Sequence, residues 1–139
     1  MNKTDLQELS DVRIAEASSL LMQAAPMPDG AYYLAGYAIE CALKACIAKL
    51  TNQHDYPEKQ FAIDCYTHDI EKLLRLAGLE TSRKADSDVN SALAQNWSVV
   101  KDWNERSRYG RHSLAKAQKL IDAITDNVNG VLPWIKARW

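Results

Sequence analysis

The stretch AYYLAGYAIECALKACIAKL, residues 31–50, decides the fold of this chain. Its apolar residues recur at helical spacing, and at 100° per residue they cover most of the circumference of a helix. A helix with so few polar positions is expected to be surrounded by neighbours. Its alanines and Gly36 allow those neighbours to pack close to the helix axis. We therefore predict a central helix from residue 29 or 30 to residue 50.

This stretch is long enough to cross a membrane, but its charges argue against that location. Glu40 and Lys44 lie near its centre, where each costs ~2.5–3.5 kcal/mol on membrane-insertion scales. The first ten residues, MNKTDLQELS, lack the apolar segment of a secretion signal. The chain has three cysteines and no CxxC spacing, as expected for reduced thiols. We therefore expect a cytoplasmic protein with no membrane partner.

A narrow polar stripe runs along the predicted central helix. It consists of Tyr33, Tyr37, Glu40 and Lys44. A carboxylate beneath packed neighbours is costly unless a cation pairs with it. Lys44, four residues after Glu40, can supply that cation, and so can an arginine from a distant part of the chain.

Helical periodicity continues on both sides of this stretch. Apolar residues recur from residue 6 to residue 25, where APMPDG breaks the pattern. The segment 51–66 has no clear period and is predicted to be a connecting loop. A short third helix is predicted in HDIEKLLRLAG, capped by Thr67 and ended by Gly78.

Two more helices are predicted in the second half of the chain. One begins at Ser87 or Asp88, and the other begins near His112 or Ser113 and ends or kinks at NGVLP, residues 129–133. Their predicted inward faces consist of Val89, Leu93, Trp97, Val100 and Trp103 in the fourth helix, and of Leu114, Ala117, Ile121, Ile124 and Val128 in the fifth. No segment alternates with the period of a strand. The sequence predicts a single all-α domain, residues 1–139, folded as an up-and-down helical bundle of about five helices, four forming the core and one short.

The segment NERSRYGRH, residues 104–112, gathers three arginines in a chain whose formal net charge is −1. We call this segment the cationic turn. The N-terminus of the following helix directs its N–H groups and positive dipole toward the turn, and arginines bind phosphate bidentately. The alternative is a solvated loop in which Arg106, Arg108 and Arg111 pair with surface carboxylates. A cationic residue at a helix N-terminus is electrostatically unfavourable without a compensating anion, and Glu105, Glu40 or a ligand phosphate could be that anion.

The pattern AYYLAGYAIECALKACI, followed by W…ERSRYGRH and a final amphipathic helix, resembles the HEPN family. HEPN domains are small all-α domains found in prokaryotic toxins, in defence systems and beside nucleotidyltransferases. In the catalytic members an arginine and a histidine four to six residues apart form a metal-independent RNase site, usually completed by a second subunit. Arg106 and His112 have five residues between them. The resemblance implies that His112 transfers protons, that Arg106 stabilises the scissile phosphate, and that the protein is a homodimer.

Two functions follow from this resemblance. The first is a toxin or defence endoribonuclease whose phosphate-binding cleft is formed by the cationic turn and floored by Glu40. The second is a non-catalytic module that binds a nucleotide or pairs with a nucleotidyltransferase-type antitoxin partner, with Arg108 held by Glu40 and His112 facing solvent. Family RNases commonly place asparagine, aspartate or histidine after the arginine, where this chain has Ser107. The residues expected to bind phosphate or to support the site are Arg108, Tyr109, Arg111, Glu40, Lys44 and Tyr37.

No motif predicts a cofactor or a metal ion. Neither GxxxxGK[ST] nor GxGxxG occurs in the sequence. Acidic, cysteine and histidine side chains cluster between residues 54 and 69, but none of their spacings is typical of zinc ligands. The resemblance to the HEPN family implies RNA or a nucleotide as the ligand.

Overall fold

The computed structural model describes residues 1–51 and 54–139, and every regular element in them is helical. The predicted all-α class is confirmed. The helices are α1 (Lys3–Leu21), α2 (Pro28–Leu50), α3 (Lys59–Asp64), α4 (Ile70–Leu76), α5 (Glu80–Val89), α6 (Ser91–Val100), α7 (Leu114–Thr125) and α8 (Val131–Lys136), with a 3-10 helix (Glu105–Tyr109) between α6 and α7. None of the described helices is long and apolar enough to cross a membrane.

Helix α2 is the central element, as the sequence predicts. Pro28 occupies its first turn, where a proline is pre-organised for a helix and its missing N–H is not needed. The helix packs against α1, α4, α7, α8 and the 3-10 helix, and α1 makes the largest of these contacts. Ser10 of α1 is fully buried and donates a hydrogen bond to the Ala38 carbonyl, 2.8 Å away. This bond satisfies the buried Ser10 hydroxyl at the α1–α2 interface.

Gly36 lets an aromatic ring lie directly against α2. A Cβ atom at this position would lie 2.2 Å from ring atoms of Trp103. The Trp103 side chain is 2% exposed and immediately precedes the cationic turn. Contact between Gly36 and Trp103 therefore fixes where the turn leaves the core.

The structure contains eight α-helices in the described residues, where the sequence predicts five. The predicted loop at 51–66 includes α3, although residues 52 and 53 lie outside the described part. The predicted fourth helix is preceded by the separate helix α5, and the break between α5 and α6 lies at Asn90. Asn90 has extended backbone, and its side chain accepts the Leu93 N–H at 3.1 Å. Ser87 and Asp88 are therefore not the caps, and Val89 is 88% exposed.

Two other predicted boundaries are corrected by capping side chains. Asp69, rather than Thr67, caps α4 by accepting the Lys72 N–H at 2.8 Å, while Gly78, with φ of 70°, terminates that segment as predicted. Helix α7 ends at Thr125, so Val128 lies outside it and is 86% exposed. Leu114 is also exposed because it begins α7 at the surface.

Candidate functional site

The cationic turn is built around a short 3-10 helix. The Asn104 side chain accepts the Arg106 N–H at 3.0 Å and so caps this helix. The Gly110 N–H donates to the Ser107 carbonyl at 3.1 Å and closes it. Ser113 then caps α7 by accepting the Lys116 N–H at 3.1 Å. Local side-chain and backbone bonds therefore give the turn a defined path.

Asp29, in the first turn of α2, ties the cationic turn to the central helix. Its carboxylate accepts the backbone N–H of His112 at 2.5 Å and a guanidinium N–H of Arg111 at 3.2 Å. Donation from the His112 backbone, together with the Arg111 side chain, lowers the pKa of Asp29 below its ordinary value. No motif in the sequence marks Asp29 as a site residue, although an acidic residue in the first turn of a helix is a recognisable signal.

The His112 ring faces inward. It stacks on Tyr32 with ring centroids 4.1 Å apart and an interplanar angle of 17°. Its Nε2 lies 3.0 Å from the Ser107 carbonyl oxygen, and because a carbonyl only accepts, Nε2 carries the hydrogen. Its Nδ1 is buried and makes no hydrogen bond within the described residues. In this conformation neither ring nitrogen is accessible to a ligand. The contacts of the ring with Tyr32 and Ser107 instead stabilise the cationic turn.

The three arginines of the turn point outward. The Arg111 side chain is 96% exposed, and Arg108 lies over the ring of its neighbour Tyr109, 4.9 Å from the centroid. In residues 1–51 and 54–139 no carboxylate forms an ion pair with Arg106 or Arg108. The surface-pairing alternative therefore describes Arg111 with Asp29 but not the other two arginines.

Glu40 is 2% exposed, and two basic side chains pair with it. Its Oε1 accepts from Lys44 Nζ and from His68 Nδ1, each at 2.8 Å. The pair with Lys44 was predicted. The alternative pair of Glu40 with Arg108 is wrong, because His68, from the segment before α4, occupies that place.

Arg106 and His68 line the same surface cleft. The cleft has a volume of about 480 Å³ and is formed by Thr67, His68, Asp69, Asn104, Glu105 and Arg106. His112 does not line it. On another side of Glu40, a pocket of about 330 Å³ is lined in part by Tyr37, Glu40 and Lys44. The predicted site residues are thus divided between the cationic turn and this second pocket. The Glu40–His68 pair connects the two regions, because Glu40 lines the second pocket and His68 lines the cleft that contains Arg106.

Tyr37 and Tyr109 occupy different environments. Tyr37 stacks near Tyr33 with ring centroids 6.1 Å apart, and burial raises the pKa of Tyr37. Tyr109 is 79% exposed beneath Arg108. Tyr109 is therefore available to a ligand of the cationic turn, whereas Tyr37 is part of the helix packing.

Among the described residues, no group of three or more histidine, cysteine, aspartate or glutamate side chains is arranged to hold a metal ion. Comparison of the chain with models of known protein families, with curated proteins and with solved structures gives no match. The resemblance to the HEPN family rests on the sequence pattern.

Proposed function

We propose that this protein is a cytoplasmic HEPN-type endoribonuclease of the toxin or defence class, cleaving RNA without a metal ion. The observation that carries the proposal is the placement of Arg106, an arginine without a carboxylate partner in the described residues, in a polar cleft that also contains a histidine. A guanidinium free to bind phosphate supplies the charge stabilisation that metal-independent phosphodiester cleavage requires, and a histidine supplies the proton transfer.

Arg106 is proposed to bind the scissile phosphate, with Arg108 and Arg111 attracting the flanking phosphates. Arginine suits this task because its N–H groups match two phosphate oxygens at once and stay charged. The resemblance to the HEPN family implies that His112 transfers the proton. For His112 to do so here, its ring must leave the Tyr32 stack and release the Ser107 carbonyl.

The proposal includes the quaternary structure that the resemblance implies. Two copies of an up-and-down HEPN-like domain would bring two cationic turns to a shared RNA site. Light scattering at micromolar concentration tests this part, and we expect the mass of a dimer. A monomeric mass would remove the shared site and leave each cleft to act alone.

The alternative function is a non-catalytic module that binds a nucleotide or pairs with a nucleotidyltransferase partner. One observation favours it over catalysis: both ring nitrogens of His112 face the protein, although the sequence predicts a solvent-facing His112 for the module. Such a module would bind nucleotides through its arginines but leave RNA intact.

The test is cleavage of a mixed RNA pool by the purified protein in EDTA, with analysis of the product ends. We expect 2′,3′-cyclic phosphate ends from the wild type and a loss on the order of 100-fold or more for Arg106→Ala. Arg75→Ala is the matched control, since Arg75 is an exposed arginine that does not line the cleft. An inert wild type that still binds nucleotides would refute the RNase function in favour of the module.

A further inference from the structure

His68 lines a surface cleft and is held by a buried carboxylate. Its side chain is 47% exposed and lines the cleft that contains Arg106. Its Nδ1 lies 2.8 Å from Oε1 of Glu40, whose side chain is 2% exposed. The imidazole is therefore anchored on its inner side and open on its outer side.

The hydrogen bond to Glu40 fixes the position of the imidazole proton. Lys44 donates to the same oxygen of Glu40 at 2.8 Å, so the carboxylate is paired with a cation and accepts both bonds. His68 must then donate through Nδ1, which places the lone pair of the neutral ring on Nε2. No protein group in the described residues forms a hydrogen bond with Nε2. The free lone pair is what a general base needs.

The charges around Glu40 indicate that His68 is more than a structural counter-ion. Lys44 already neutralises Glu40, so a protonated imidazole is not required to compensate the buried carboxylate. The other oxygen of Glu40, Oε2, is buried and has no hydrogen-bond partner in the described residues. Glu40 is thus held in place by its two basic partners, and its direct contact with the cleft is through His68.

We propose that His68 and Arg106 together form a phosphate site for RNA, in which His68 is a catalytic proton-transferring residue and Glu40 is its positioning residue. This inference rests on the proposed RNA cleavage and adds to it a catalytic residue that neither the spacing of Arg106 and His112 nor the family resemblance indicates.

The proposed reaction is cleavage of the RNA backbone by the ribose 2′-hydroxyl, with water as the only other reactant. His68 Nε2 takes the proton of a ribose 2′-hydroxyl, and the 2′-oxygen forms a bond with the adjacent phosphorus. The bond from phosphorus to the 5′-oxygen breaks, and the leaving oxygen takes a proton from water. The products are a 2′,3′-cyclic phosphate and a 5′-hydroxyl, and the proton on His68 returns to the hydroxide that the water leaves. Arg106 stabilises the added negative charge on the phosphate oxygens in the transition state.

The kinetic test compares single substitutions in the full chain by RNA cleavage in EDTA. We expect His68→Gln to lower kcat on the order of 100-fold or more with its melting temperature maintained, since the side chain is half exposed. His54→Gln is the matched control, because His54 is an exposed histidine outside the cleft. Glu40→Gln should lower kcat while leaving KM near the wild-type value, a split that general loosening of the fold would not produce.

Binding of inorganic phosphate tests the site without relying on cleavage. In an NMR titration of the wild type, we expect saturable shifts of the His68 ring signals, lost in Arg106→Ala. Wild-type cleavage with an unaffected His68→Gln enzyme would overturn the inference and leave the proposed function standing. An inert wild type whose His68 signals respond to phosphate would overturn both the RNase function and the catalytic role of His68, and would support phosphate binding by His68 and Arg106 alone. Absence of both cleavage and phosphate shifts would overturn both proposals.

Discussion

Replacement of Gly36 by alanine is expected to disrupt the contact on which the cationic turn depends. The added Cβ would lie 2.2 to 2.3 Å from three ring atoms of Trp103. The tryptophan is 2% exposed and belongs to the main hydrophobic core, so other core side chains resist its displacement. Either the ring must tilt out of the core or α2 must shift away from its neighbours.

Two opposing contributions set the size of this effect. Overpacking a core typically costs about 1–3 kcal/mol, and a contact this short belongs at or above the upper end of that range. Alanine in place of glycine within a helix recovers about 1 kcal/mol. We therefore expect Gly36→Ala to lower the free energy of unfolding by about 2 kcal/mol. In a chain of this length that corresponds to a fall in Tm of roughly 6–10 °C.

The assay is thermal unfolding followed by circular dichroism, with tryptophan fluorescence as a second probe of the ring environment. Gly30→Ala is the matched control in the same helix, because its Cβ would meet only the end of the Leu20 side chain at 3.2 Å. We expect that control to keep or raise the free energy of unfolding, by up to about 1 kcal/mol, because the same gain in helix propensity is opposed only by this flexible contact. Equal melting temperatures for the two variants would refute the packing of Trp103 against Gly36.

Three other perturbations test the surroundings of the site. Glu40→Ala should lower the free energy of unfolding by about 1–3 kcal/mol by thermal melting, less than for a fully buried pair because its basic partners can return to water; an unchanged Tm would mean that the carboxylate is solvated. At pH 8 an alkylating reagent should modify Cys65 first, by peptide mass spectrometry, because burial raises the pKa of Cys41 and of Cys46 to about 11; equal rates at all three thiols would contradict this. Asp29→Ala should speed amide hydrogen exchange in the cationic turn at neutral pH, since it removes two bonds to that turn; unchanged protection would show that the tie is dispensable.

The fold was predictable where local chemistry and helical periodicity agree. The apolar circumference of residues 31–50 requires a buried helix whatever surrounds it, and the structure places α2 at the centre. Gly78 ends its segment because glycine readily adopts positive φ. The helix count was less predictable, because a single side chain such as Asn90 or Asp126 decides whether neighbouring turns join or break.

The sequence by itself determined an all-helical chain with a buried carboxylate and a separate concentration of positive charge. These three properties follow from composition and helical periodicity, and they can be derived without knowing which helices are in contact. Only the tertiary structure decided the partners: His68 lies 28 positions from Glu40 in the chain, yet it pairs with that carboxylate and shares a cleft with Arg106. Packing of α4 and of the cationic turn on α2 creates this proximity, and no local spacing encodes it.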